Sequence, residues 1–293
     1  MKSKITSVLC ILLLVTSSGF AQTGSSDTSG LPVYLRDRGT GMWTSLFGTY
    51  IRKHELLIYP FFEYSYQHDA EYTPSDLGFN GDQTYRSKYK QGEYLIYLNY
   101  AVTDWLSIEF ESGVYTATSI VKAPADTSNV PPIYKETGFG DTQFELNLRL
   151  LKESSHIPEI TFYQEFDLPL QKNKHITGKQ ELESKSGIGL AKGFSFGTFT
   201  TRLALLWTPA AHTVEIGEYS LEYYKKISPV VRIYTGFEGT NLGELEYFDE
   251  VQIHFGKRKD SFLRLNNGIG LTNQTLDVLP EIGILISLLP CEK

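Results

Sequence analysis

Carboxylates and guanidiniums recur in one phase of an alternating pattern. Glu63, Glu93, Glu109, Glu111, Glu145, Glu165, Asp167, Glu218, Glu222, Glu238 and Glu281 each stand beside an apolar or aromatic residue, and Arg149, Arg202, Arg232 and Arg264 hold the same phase. If these side chains share one enclosed face, two kinds of chemistry are open to them. A ring of carboxylates concentrates cations along a permeation path. Alternatively, carboxylates pair with the arginines and with Tyr hydroxyls across a narrow space and brace it. His254, set between Val251, Ile253 and Phe255, belongs to the same face. The other histidines, at 54, 68, 156, 175 and 212, show no metal-ligand spacing and stand beside no nucleophile, so neither a metal nor a cofactor is expected. Asp141 reads as a residue that starts a strand and bonds local backbone amides.

The elements that carry these residues are short strands. From residue 55 onward the chain repeats a segment of alternating apolar and polar residues, then a connection of Gly, Pro, Asn, Asp, Ser and charges. In the first segment Leu56, Ile58, Phe62, Tyr64 and Tyr66 oppose Glu63 and Ser65. Near 92–101, Tyr94, Ile96, Leu98 and Tyr100 oppose Glu93, Tyr97 and Asn99; near 105–118, Leu106, Ile108, Phe110 and Val114 oppose Ser107, Glu109 and Glu111; near 139–151, Phe144, Leu146, Leu148 and Leu150 oppose Glu145, Asn147 and Arg149. The rhythm recurs near 159–170, 187–195, 197–207, 217–226, 230–239, 249–256, 261–269 and 276–288, which predicts about twelve strands. Long connections at 68–91, 119–137 and 171–186 alternate with short ones at 102–104, 152–158 and 227–229, as in an up-and-down meander.

This pattern predicts an all-β fold, an antiparallel up-and-down transmembrane β-barrel over residues 55–293. A soluble sandwich also alternates, but it has no need of rings at both strand ends. Here Tyr100, Trp105, Tyr115, Trp207, Tyr219 and Phe237 fall where aromatic girdles would lie, in a chain that is 13% aromatic. Residues 1–21 read as a signal peptide: Lys2 and Lys4, the apolar run Val8 to Val15, then Gly19-Phe20-Ala21. Cys10 leaves with it, so the exported chain keeps only Cys291 and has no internal disulfide. The net charge of −7, with no basic run, argues against nucleic acid as a partner. A Gram-negative-type outer membrane is the expected location. Its lipid, the barrel-assembly machinery and a small-molecule solute are the expected partners.

At GFGDTQFELNLRLL (138–151) and EITFYQEFDLPL (159–170) the chain resembles the outer-membrane family named for the meta-pathway of phenol degradation. Gly138, Gly140 and Asp141 match residue for residue, and the closing strand LDVLPEIGILISL (276–288) is similar in style. The C-terminus departs from the pattern, running through Leu289-Pro290-Cys291-Glu292-Lys293 instead of ending on an aromatic residue. The resemblance implies a barrel for uptake of small, often hydrophobic compounds, without enzymatic activity. The expectation is therefore a narrow channel or transporter for small hydrophobic or cationic solutes. A non-conducting barrel with a binding or structural role is the alternative. A barrel enzyme acting on lipid is a further one, but the His-x-Ser-Asn-Gly of a barrel phospholipase is absent.

Residues 22–54 form a periplasmic N-terminal segment in this reading. QTGSSDTSG (22–30) is a polar linker. Arg36, Asp37, Arg38, Trp43, Phe47 and Tyr50, with glycines at 39, 41 and 48, are more than a tether needs, and they predict a plug that folds back against the periplasmic mouth or into the lumen, the alternatives being an extended periplasmic lead-in or a site for another envelope protein. Arg36 and Arg38 are expected to meet carboxylates there, such as Glu109 and Glu111.

Overall fold

The computed structural model describes residues 30–290 apart from 47, 241 and 242, so the signal peptide, the linker to residue 29, Phe47 and Cys291 lie outside the described residues. Two small strands, β1 (Met42–Trp43) and β2 (Tyr50–Ile51), pair with each other. Next come β3 (Leu56–Tyr72), β4 (Tyr85–Ala101), β5 (Leu106–Val121), β6 (Ile133–Gly138), β7 (Thr142–Leu151), β8 (Glu159–Asp167), β9 (Glu183–Phe194) and β10 (Gly197–Thr208). The chain ends with β11 (Thr213–Lys226), β12 (Val231–Gly239), β13 (Glu246–Phe255), β14 (Ser261–Gly270) and β15 (Val278–Leu288).

Twelve of these strands, β3 to β5 and β7 to β15, form one antiparallel meander that closes where β15 pairs with β3, with Glu281 opposite Glu63 and Ile286 opposite Ile58. Closure satisfies every edge, which a wall in hydrocarbon requires. The alternation read from sequence fixes which way each strand faces. On β8 the odd positions from Glu159 to Asp167 are buried and the even ones half-buried; on β13 Glu250, Gln252 and His254 are buried while Val251, Ile253 and Phe255 are exposed. The outer surface is an apolar band, including Phe110, Leu203, Leu205, Leu221 and Ile282, with Tyr100, Trp105, Tyr115 and Trp207 also turned outward.

Two expectations need correction. Half of the connection expected over 68–91 is strand, because β3 and β4 continue as a hairpin that leaves only 73–84 between them. Likewise 119–137 contains β6, paired to the upper part of β5 while β7 takes the lower part. These extensions persist beyond the band because they bury a core of their own: Tyr72, Leu77, Ile120, Ala123 and Val130, with Phe79 and Tyr134 against it.

The step from β6 to β7 explains the glycines of the GFGD motif. Gly140 donates its N–H to the Gly113 carbonyl at 2.6 Å, and a Cβ on Gly140 would lie 2.4 Å from both Glu93 Oε1 and Thr116 Oγ1. Asp141 does not bond local amides as expected. Its carbonyl accepts from Gly113 N at 2.9 Å, and its Oδ1 is buried with no hydrogen-bond partner among the described residues.

Candidate functional site

The interior divides at the N-terminal segment. The described residues of 31–54 lie at the end of the wall where the short turns are, and the sequence-predicted Arg36, Asp37, Arg38, Trp43 and Tyr50 each have a definite place. Arg38 is buried and gives Nη2 to Glu153 at 2.8 Å and to Glu159 at 3.1 Å, gives Nη1 to the Gly41 carbonyl at 3.0 Å, and stacks 5.0 Å over Tyr50. Burial opposes its charge, but Glu159, Tyr50 and Glu153 together raise its pKa above the ordinary arginine value, so it stays cationic at any working pH. Asp37 accepts from Lys225 Nζ and from the Lys226 amide, both at 3.2 Å. Arg36 is exposed and donates Nε to the Leu31 carbonyl. The pairing of Arg36 and Arg38 with Glu109 and Glu111 is thus corrected: Arg38 sits a tier lower, beside the 152–158 turn.

Glu109 instead holds the tip of the segment. It accepts from Ser45 Oγ and, at 3.3 Å, from Ser45 N, while Asn99, Asn147 and the Tyr97 hydroxyl hydrogen-bond the same carboxylate at 2.7 Å. From across the lumen Arg202 donates to the Ser45 carbonyl at 3.2 Å and lies 5.1 Å over the Trp43 ring. Trp43 also gives its backbone N–H to Glu159 at 3.1 Å. On the apolar side Met42, Leu46 and Ile51 pack against Leu57, Tyr59, Phe61, Leu95, Tyr97, Phe262 and Leu285. Tyr50 packs on Tyr224, Tyr234 and Phe248.

The wall makes room for this. A Cβ on Gly189 would lie 2.1 Å from the Trp43 ring, and one on Gly193 would lie 1.8 Å from the Tyr34 carbonyl oxygen. The inward positions of β9, Gly187, Gly189, Ala191 and Gly193, therefore form a recess. The signal was in the sequence as alternating small residues in GIGLAKG.

Beyond the tip, away from the short turns, lies a cavity of about 350 Å³ with Ser45 and Leu46 at its floor. Its walls carry Glu63, Glu111, Glu165, Glu218, Glu238, Glu244, Glu246 and Glu281 against Lys185, Arg202 and Arg264. Lys185 reaches Glu165 at 2.8 Å, Arg202 reaches Glu218 at 3.1 Å, and Arg264 reaches Glu281 at 3.5 Å and Glu250 at 2.8 Å. Glu63, Glu111, Glu238 and Glu246 have no ion-pair partner among the described residues. The remaining predicted positions also face inward. Glu93 accepts from Thr116; Glu145 accepts from Asn147 at 2.6 Å; Glu222 takes Thr200, Ser220, Tyr234 and Arg202; Arg149 pairs with Glu159 at 3.2 Å. Arg232 donates to the Tyr224 hydroxyl at 2.8 Å, and Asp167 is buried at the upper end of β8. His254 is bounded by the Lys259 carbonyl at 2.8 Å and Gln252 at 3.0 Å, a satisfied lumen residue. Sequence reading missed Lys185, Glu153, Glu159, Glu246 and Glu250.

The opposite end has the opposite sign. Two cavities beneath the segment, of about 210 and 560 Å³, are lined by Arg38, Arg52, Arg232, Lys53 and Arg149 against Glu55, Asp260 and Asp104.

A closed antiparallel wall with an apolar outer band and a charged interior is an outer-membrane β-barrel of the Gram-negative type. The fold is similar to that of an outer membrane channel from Pseudomonas putida F1, with a TM-score of 0.58 at 10% identity over 81% of this chain and 97% of that one. More distant are the translocator domain of the autotransporter NalP from Neisseria meningitidis (TM-score 0.39, 10% identity, 80% of this chain and 88% of that one) and the Ralstonia pickettii toluene transporter (0.39, 8%, 81% and 89%). No protein-family profile and no curated protein matches the sequence.

Proposed function

We propose that this barrel is a narrow, plugged channel for small solutes, in which residues 31–54 are the plug and the acidic cavity is the outer vestibule. One observation carries the reading: the cavity lined by unpaired Glu63, Glu111, Glu238 and Glu246 ends on Ser45 and Leu46, which Glu109 and Arg202 clasp from opposite walls. Fixed negative charge above a clasped floor favours cationic or polar solutes at the mouth. The similarity in fold to an outer membrane channel agrees with this. The reading requires no cofactor and no catalytic residue. Outer-membrane lipid and the barrel-assembly machinery are the partners it needs.

A second reading concerns the solute. Leu57, Tyr59, Phe61, Leu95 and Tyr97 form an apolar strip along one inner wall, covered by Met42, Leu46 and Ile51. Withdrawal of the plug would bare that strip, which suits the small hydrophobic compounds implied by the resemblance to the meta-pathway family. Planar-bilayer conductance tests both readings. The intact protein should pass little current, and deletion of residues 31–50 should raise conductance with cation selectivity while the wall still inserts. Unchanged conductance on deletion would refute the plug.

A further inference from the structure

The outward side chains of β4 climb from the apolar band in the order Tyr94, Gly92, Lys90, Lys88, Arg86, and the three basic residues are exposed. Register places Lys90 beside Tyr66 on β3 and Ser119 on β5, and Ser119 beside Lys135 on β6, also exposed. Nearer the membrane centre, a parallel row reads Phe62, Tyr94, Tyr115. Lys90 Nζ lies 6.0 Å from the centre of the Tyr66 ring. Arg86 is compensated by Asp69 at 2.9 Å and by Glu71, whereas Lys88, Lys90 and Lys135 have no carboxylate at ion-pair distance among the described residues.

Depth decides what these lysines meet. From Tyr100 at the lower girdle to Lys90 the strand rises about 33 Å, which at the usual tilt is about 25 Å of membrane, the height of the apolar band. The lysines therefore sit at the outer edge of the hydrocarbon, level with the phosphates of the outer leaflet. They are also held in place. On the inner side of β6, Glu136 accepts from the His175 and Ile176 amides at 3.0 and 2.9 Å, and the core around Tyr72 and Ile120 fixes both hairpins.

We propose that Lys88, Lys90 and Lys135 form a docking surface for the phosphorylated headgroup of lipopolysaccharide, whose acyl chains lie on Phe62, Tyr94 and Tyr115. The chain as a whole carries a net charge of −7, so general attraction to an anionic surface does not supply this contact.

The test uses the full barrel purified in detergent and probed with hexa-acylated lipopolysaccharide. Each lysine at an anionic surface is worth about fivefold, so replacing Lys88, Lys90 and Lys135 with Gln should weaken binding about a hundredfold with heat-modifiability retained. In case that variant fails to fold, the unaltered protein is compared with native and enzymatically dephosphorylated lipopolysaccharide, and the second should bind far more weakly. Equal binding by the triple variant, or by the dephosphorylated glycolipid, overturns the proposal. So does full displacement by millimolar inorganic phosphate, which would mark a free-anion site, and so does equal affinity for phosphatidylglycerol vesicles, which would mark general charge.

Discussion

The two halves of the lumen are built from the same residue types and behave as opposites. In the lower half charges are matched: Arg38 takes Glu153 and Glu159, Arg149 shares Glu159, Lys192 shares Glu153, and Lys225 takes Asp37. In the upper half Glu63, Glu111, Glu238 and Glu246 face a cavity without a counter-ion among the described residues. The difference lies in what fills the space. Where Arg38 packs among the wall side chains, an unpaired buried charge would be prohibitive, and the buried carboxylates Asp37, Glu153 and Glu159 each have a cationic donor. Where water remains, like charges are tolerated and their field becomes available to a solute.

The strongest way to break the comparison is to remove the central cation of the matched half. Arg38→Leu leaves Glu153 and Glu159 buried, with side chains at most 1% exposed, Lys192 and the Gly193 amide serving the first and Arg149 and the Trp43 amide the second. Orphaning buried carboxylates costs about 3–5 kcal/mol, and the two remaining cations place this case near the lower figure. Residues 31–54 should then be cut by protease in proteoliposomes and conductance should rise. A segment as protected as before would mean that the apolar contacts of Met42, Leu46 and Ile51 hold it alone.

The wall itself is tested by Leu148→Arg beside Gln143→Arg. Leu148 faces outward and Gln143 lines the open half. The first should lose about 2–4 kcal/mol of folding stability in vesicles and the second far less. Equal loss would contradict the assignment of outer and inner faces.

A somewhat smaller effect is expected from Gly189→Val, which puts a side chain where the Trp43 ring lies. Overpacking of this kind costs about 1–3 kcal/mol, here charged against seating of the segment and not against the wall. Trp43 fluorescence should shift to the red while heat-modifiability is unchanged.

How far these features could be read from sequence follows a physical line. Facing direction is local: a period of two fixes it, so the inward phase of Glu109, Glu145, Arg202 and Arg264 was legible strand by strand. Pairing is not local. Arg38 meets Glu153 and Glu159 because of where a turn between two distant strands sits at the mouth, and no spacing near residue 38 reports that. Lys185 was passed over because it precedes the clear alternation of β9, and Glu159 because it opens a strand beside a turn. The β3–β4 extension reads as loop because its polarity inverts once the strands leave the membrane, with charged Arg86, Lys88 and Lys90 outward where the wall below carries apolar residues. Its aromatic inner positions, Tyr72, Tyr85 and Tyr89, were the available sign.

The smallest expected effect concerns the rim that keeps the upper half open. Glu136 draws in the 168–182 connection by accepting the His175 and Ile176 amides, and the Tyr134 hydroxyl at 2.8 Å. Burial alone would raise its pKa, but these donors and His175 outweigh it and hold the carboxyl below its ordinary value. A depressed carboxyl pKa contributes stability that is fully present above the unfolded value of about 4.3 and is lost as pH falls through the folded one. The rim should therefore be constant from neutral pH down to about 5 and loosen only in stronger acid. Glu136→Gln keeps the shape but removes the charge, and should loosen the connection already at pH 7. Protease cleavage within 171–182 on intact cells reads this out, with the unaltered protein resistant at pH 7 and the variant cut several-fold faster. Equal cleavage at neutral pH would show that the Tyr72 and Ile120 core, not the carboxylate, pins the rim.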